Sequence, residues 1–129
     1  MIPLLGASAL VLAALQASIA APTSAFRSCL HDATTRATNE KVSVDTIETY
    51  LRNACTAQMG SLKDALVAFR LKNGMTKKAA AEDAEMTIDD YVATPADNYK
   101  FLVQQNASPK PQPAAAPAVT PAAQPTSPQ

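Results

Sequence analysis

The side chains best suited to chemistry are few. Cys29, His31 and Asp32 stand together in "CLHD", Cys55 stands far downstream, and "AEDAEMTIDDY" supplies Glu82, Asp83, Glu85, Asp89 and Asp90. A cysteine beside a histidine and an aspartate is the set used for a thiolate nucleophile or for part of a zinc site. Clustered acids are the set used for proton transfer or for calcium. Spacing argues against each. Residues two apart on a helix point about 200° away from one another, so His31 faces solvent when Cys29 faces a neighbouring helix. One histidine and two cysteines engaged with each other leave too few ligands for zinc. The acidic run lacks the alternating oxygen ligands and central glycine of a calcium loop. If it is helical, its acids fill a solvated arc opposite Ala80, Ala81, Ala84, Ile88, Tyr91 and Val92. No catalytic, metal or cofactor-binding residue is assigned, and no cofactor is expected.

The two cysteines have a simpler use. Apolar residues at about 100° per residue place Phe26, Cys29, Leu30, Ala33 and Ala37 on one face of a first helix, about Ser24 to Asn39. "NEKVS" is a turn, with Ser43 as cap of a second helix and Val42 and Ile47 set for a hydrophobic staple. Two helices joined so briefly run antiparallel. Cys29 lies thirteen residues before Val42 and Cys55 thirteen after it. With about 1.5 Å of rise per residue in both helices, the cysteines reach the same level, and a Cys29–Cys55 disulfide is expected. A Cys-x-x-Cys redox motif is missing, so the bridge reads as structural.

The elements that hold these residues are all helical. The second helix carries Val44, Ile47, Leu51, Ala54, Cys55, Leu62, Ala65, Leu66 and Phe69 on one stripe and ends at Gly74. Gly60 and a Ser61/Asp64 capping box interrupt it locally, but the stripe keeps its phase, which favours one long, kinked helix. Thr76 caps a third helix. Thr87 with Asp90 would cap a fourth, unless the two are one. "TPAD" at Thr94–Asp97 is a start signal for a last helix, about Pro95 to Gln105, with Tyr99, Leu102 and Val103 inward. The expected fold is all-α: a small bundle of four or five helices with one interhelical disulfide.

Both ends of the 129-residue chain differ from this domain. Residues Ile2 to Ala21 carry no charge and are rich in Leu, Ala, Val and Ile, the composition of a signal-peptide core. Ser18 and Ala20 satisfy the small-x-small rule and place cleavage between Ala20 and Ala21. No Lys or Arg precedes the run, which leaves an uncleaved membrane anchor as the alternative. From Ala107 onward, "ASPKPQPAAAPAVTPAAQPTSPQ" reads as a disordered, partly polyproline-II tail. The division is signal peptide 1–20, helical domain 21–106 and Pro/Ala-rich tail 107–129. An even cysteine count behind an export signal implies an oxidising compartment, periplasmic or extracellular.

"TKKAAAEDAEMTIDDYV" resembles the DNA-binding helix-turn-helix pattern. Ala80 and Ala81 match it, Thr87 stands for its serine and Tyr91 for its aliphatic residue. Glu85 replaces the turn glycine and Met86 the valine. The resemblance implies a turn at Glu85–Met86. Acids at the start of the would-be recognition helix would repel phosphate, and net charge is zero, so nucleic acid is excluded as a partner. The bunching of Lys63, Arg70, Lys72, Lys77 and Lys78 ahead of the acids raises a two-signed surface against the plainer reading of solvated faces. The sequence thus describes an exported helical protein with a structural or protein-interaction role in the cell envelope. A small ligand-binding protein or enzyme is the alternative, requiring a cavity lined by Gln58, Tyr50 and Met59.

Overall fold

Four helices follow one another: α1 (Ser8–Glu40), α2 (Ile47–Ala54), α3 (Thr56–Lys72) and α4 (Lys77–Ala107). The computed structural model describes residues 8–108, with side chains from Ser18 onward. The tail from residue 109, and residues 1–7 of the expected signal segment, lie outside the described residues. Every element among the described residues is helical, so the all-α class and the disulfide-linked bundle are as expected. The helix boundaries are not.

Cys29 and Cys55 are bonded through sulfur, with Cα atoms 5.8 Å apart, so the equal-level argument holds. Cys55 is fully buried and is also the single residue that separates α2 from α3, with φ −116° and ψ 24°. The second helix therefore breaks, contrary to the one-helix expectation, and it breaks at Cys55 rather than at Gly60. The reason is local. The Thr56 hydroxyl donates to the carbonyls of Arg52 and Asn53, a competing partner for groups that an uninterrupted helix would bond through backbone amides. Gly60 sits inside α3, and a methyl group added there would meet nothing within 4 Å.

The first helix is already formed at Ser8, the first described residue, well before the expected start at Ser24, and passes through Pro22 and through the Ala20–Ala21 bond without a break. It ends in a tight reversal: Lys41 adopts φ 54°, its amide donates to Thr38 and the Val42 amide donates to Ala37. This is the two-bond C-terminal motif usually built on glycine. The α2 start is three residues later than expected. Ser43 caps nothing; its carbonyl accepts both the amide and the hydroxyl of Thr46, so a turn precedes the helix. The same two-bond motif closes α3, here with Gly74 at φ 88° and amides of Gly74 and Met75 donating to Leu71 and Arg70.

α4 replaces two or three expected helices. Thr76 caps it as expected, its hydroxyl accepting from the Ala79 amide at 3.3 Å. The other start signals are not used: the hydroxyls of Thr87 and Thr94 donate back to Asp83 and Asp90 within the helix. No turn forms at Glu85–Met86, so the helix-turn-helix pattern is absent there. Packing decides this. Ala80, Ala84, Ile88, Val92, Ala96 and Tyr99 are all buried, an unbroken stripe that is lost if the helix restarts. Its continuity outweighs the roughly 3 kcal/mol an interior proline costs. Met86 accordingly points outward, 61% exposed.

The core joins Phe26, Leu30, Ala33 and Ala37 of α1 to Ile47, Leu51, Cys55, Leu62 and Leu66 of the middle helices and to Ala84, Ile88, Val92, Ala96 and Tyr99 of α4. Phe26 and Tyr91 meet edge to face at 6.2 Å. Tyr99 ties α4 to the end of α1, its hydroxyl donating to the Val42 carbonyl at 2.6 Å and lying 3.3 Å from that of Ala37. Leu102 and Val103 are exposed rather than inward. At Tyr99 α4 has already drawn level with the end of α1, so later residues have no helix opposite them.

These boundaries predict opposite effects at two glycines. Gly60→Ala stabilises by about 0.5–1 kcal/mol, because alanine is the better helix former and has room. Gly74→Ala destabilises by about 1–2 kcal/mol, the cost of a left-handed L-residue. Urea titration of both variants checks the signs; a loss of stability in Gly60→Ala would contradict the placement of the break at Cys55.

Candidate interaction surface

The expected chemical groups do not converge. Cys29 and Cys55 are spent on each other. His31 is solvent-exposed, with Nδ1 3.6 Å from the Asp32 carboxylate. Among the described residues no group of His, Cys, Asp and Glu side chains is placed to hold a metal ion. The ligand cavity raised for Gln58, Tyr50 and Met59 is not formed by these three. Gln58 borders an open hollow with Ser28, Cys29 and Asp32. The Tyr50 hydroxyl donates to Glu40 at 2.9 Å, which raises the phenol pKa, and Met59 Sδ lies by Arg52.

The carboxylates of α4 have partners the sequence did not reveal. Arg70 pairs with Asp83 and Arg52 with Asp89, each at 2.5 Å, and Lys63 pairs with Glu85. Basic residues of α2 and α3 thus face acids of α4 along the outer seam between them. This follows from antiparallel packing: two charge runs of opposite sign, separated by the turn at Gly74, are folded against each other. The two-signed surface is largely self-neutralised, and exposed pairs of this kind add little stability each. Lys100 bonds Glu48 at 2.8 Å at the far end of the bundle. That hydrogen bond, with the lysine charge, lowers the Glu48 pKa and raises that of Lys100.

What remains available is apolar. A groove of about 550 Å³ runs between α1 and α4, bordered by Leu30, His31, Tyr91, Pro95, Tyr99 and Leu102. It opens toward the end of α4, where Phe101 and Leu102 are 59% and 56% exposed and every residue from Phe101 to Ser108 is at the surface. The sequence signal for this patch was present as Tyr99, Leu102 and Val103, but it read as core because the end of α1 opposite it was not foreseen.

No family model, no curated protein and no solved structure matches this chain.

The Glu48–Lys100 pair predicts a pH dependence with a definite sign. Glu48 has a lowered folded pKa, so its contribution is full above the ordinary glutamate pKa of about 4.3 and disappears as pH falls through the folded value. Lys100 has a raised pKa, so its share is full below the ordinary lysine pKa and disappears as pH rises through the folded value. Melting temperatures of the natural chain and Glu48→Gln should differ near neutral pH and converge in acid. Curves that stay parallel below pH 4 would contradict the pairing.

Proposed function

We propose that this is an exported protein of the periplasm or extracellular space whose role is to bind other proteins of the cell envelope, not to catalyse a reaction. The Cys29–Cys55 bridge, buried at Cys55 and half-buried at Cys29, carries the export reading. Such bonds persist in oxidising compartments and are rare where thiols are kept reduced. Residues 1–20 serve as the export signal and are removed between Ala20 and Ala21. Among the described residues no helix is long and apolar enough to cross a membrane. The interaction role rests on exposed Leu102 at the mouth of the α1/α4 groove, with Phe101 exposed beside it, since exposed apolar surface next to a groove marks protein contacts. The Pro/Ala-rich segment from residue 109 supplies a spacer.

Fractionation with intact-mass measurement tests the export reading. The expected result is a chain beginning at Ala21, two hydrogens lighter than its reduced form, recovered outside the cytosol. A full-length reduced chain in the cytosol would overturn it. For the interaction role, Phe101→Ser combined with Leu102→Ser should leave the melting temperature nearly unchanged yet abolish envelope cross-links seen with the natural chain. Unchanged cross-links would move the contact elsewhere.

A further inference from the structure

We propose that a second copy of this chain closes the groove between α1 and α4, in a twofold dimer where the end of each α4 lies in the other's groove. It rests on the end of α4 being a contact surface, as proposed above, and names the occupant in the purified protein. The groove has one wall from each of two helices that run in the same direction. Phe26 of α1 meets Tyr91 of α4, and further along Tyr99 reaches Ala37. Arg27, Leu30 and His31 line the groove from α1, and Tyr91, Pro95 and Leu102 line it from α4. Spacings of three, four and seven residues keep each set on one helix face.

The stripe that α4 presents here carries no charge. At about 100° per residue, Tyr91, Thr94, Pro95, Asn98, Leu102 and Gln105 fall within about a third of the helix circumference, over roughly 21 Å of length. Asp90 and Asp97 lie outside that arc, and Asp97 stands 3.6 Å from Lys100. The last turns, from Phe101 to Ser108, are uncharged and exposed at every residue. Like charges set against each other across an interface cost several kcal/mol. A neutral stripe imposes no such cost on its own copy. A foreign helix would need the same neutral, partly apolar stripe at the same length, and this chain already carries one beside the groove.

Asn98 is the midpoint of the stripe. A twofold axis there runs the two α4 helices antiparallel and overlaps their stripes in full. Leu102 then comes level with Thr94 and Pro95 of the second copy, where Leu30 forms the opposite wall of the groove. Gln105 comes level with Tyr91 of the second copy, at the end of the groove that holds Arg27. Arg27 makes no ion pair among the described residues. The side-chain carbonyls of Gln105 and Asn106 are acceptors that a guanidinium can use without a carboxylate. Apolar thus meets apolar and amide meets cation, twice over. Such an isologous contact closes at two chains and covers both exposed Leu102 side chains.

The test is analytical ultracentrifugation of the purified full chain and of two charge variants at the axis, Asn98→Lys and Asn98→Glu. Asn98 is exposed, so both should melt at nearly the natural temperature. The natural chain is expected to pass from one chain to two as its concentration rises from micromolar toward millimolar. Each variant alone sets like charges across the axis and should self-associate about tenfold more weakly or worse. An equimolar mixture should recover the two-chain species, because lysine then meets glutamate. The chain carrying Phe101→Ser and Leu102→Ser should stay single. A natural chain that remains single throughout overturns the proposal. So does a dimer that neither Asn98 variant weakens, a mixture that fails to recover, or assembly that grows beyond two chains. A dimer without envelope cross-links supports the second copy and fails only the envelope reading. Cross-links from a chain that never dimerises overturn the second copy and leave that reading standing.

Discussion

One covalent bond sets the register of this bundle. Cys55 is at once the corner between α2 and α3, a fully buried core residue and the partner of Cys29 on α1. Fixing that corner against α1 decides which residues of α2 face the upper half of α1 and which residues of α3 face the lower half. α4 then lies across both, held by apolar burial along its stripe and by Tyr99 at its upper end. In a small core, where five of the fifteen buried residues among those described are alanine, burial alone gives a limited return at about 25 cal/mol per Å². Closing a loop of this length contributes roughly 3–4 kcal/mol in the chain-entropy model, a large share of what a small domain has in total.

The dependence runs outward from that corner. Because α1 and α2 are pinned level, the reversal at Lys41 must be tight, and its carbonyls end where Tyr99 can reach them. Because α3 continues downward from the same corner, its basic residues come to face the acids of α4. Because α4 is longer than the body it packs on, its last turns carry Phe101 and Leu102 into solvent. The exposed apolar surface at the end of α4 is thus a by-product of unequal helix lengths around one fixed point.

Much of this was legible in the residues. The cysteine pairing followed from counting outward from Val42, and the buried arc of α4 from Ala80 to Val92 is the one expected from periodicity. Errors arose where local and non-local signals disagreed. Thr94–Pro95 has the chemistry of a helix start, but the stripe through Ala96 and Tyr99 wins. At Cys55 the stripe also keeps its phase, yet the helix breaks, because a single non-helical residue displaces the pattern too little to be seen. The cross-helix ion pairs could not be read at all, since they depend on which turn folds α3 against α4. Leu102 and Val103 read as core for a related reason: their exposure is set by where α1 stops.

The most direct check is a non-reducing tryptic mass map of the native protein. Trypsin isolates Cys29 in the peptide Ser28–Arg36 and Cys55 in the peptide Asn53–Lys63. The account predicts that these two peptides travel as one disulfide-linked species, which separates only after reduction. Recovery of both as free, alkylatable thiol peptides would remove the fixed point on which the register, the surfaces and the export reading all stand.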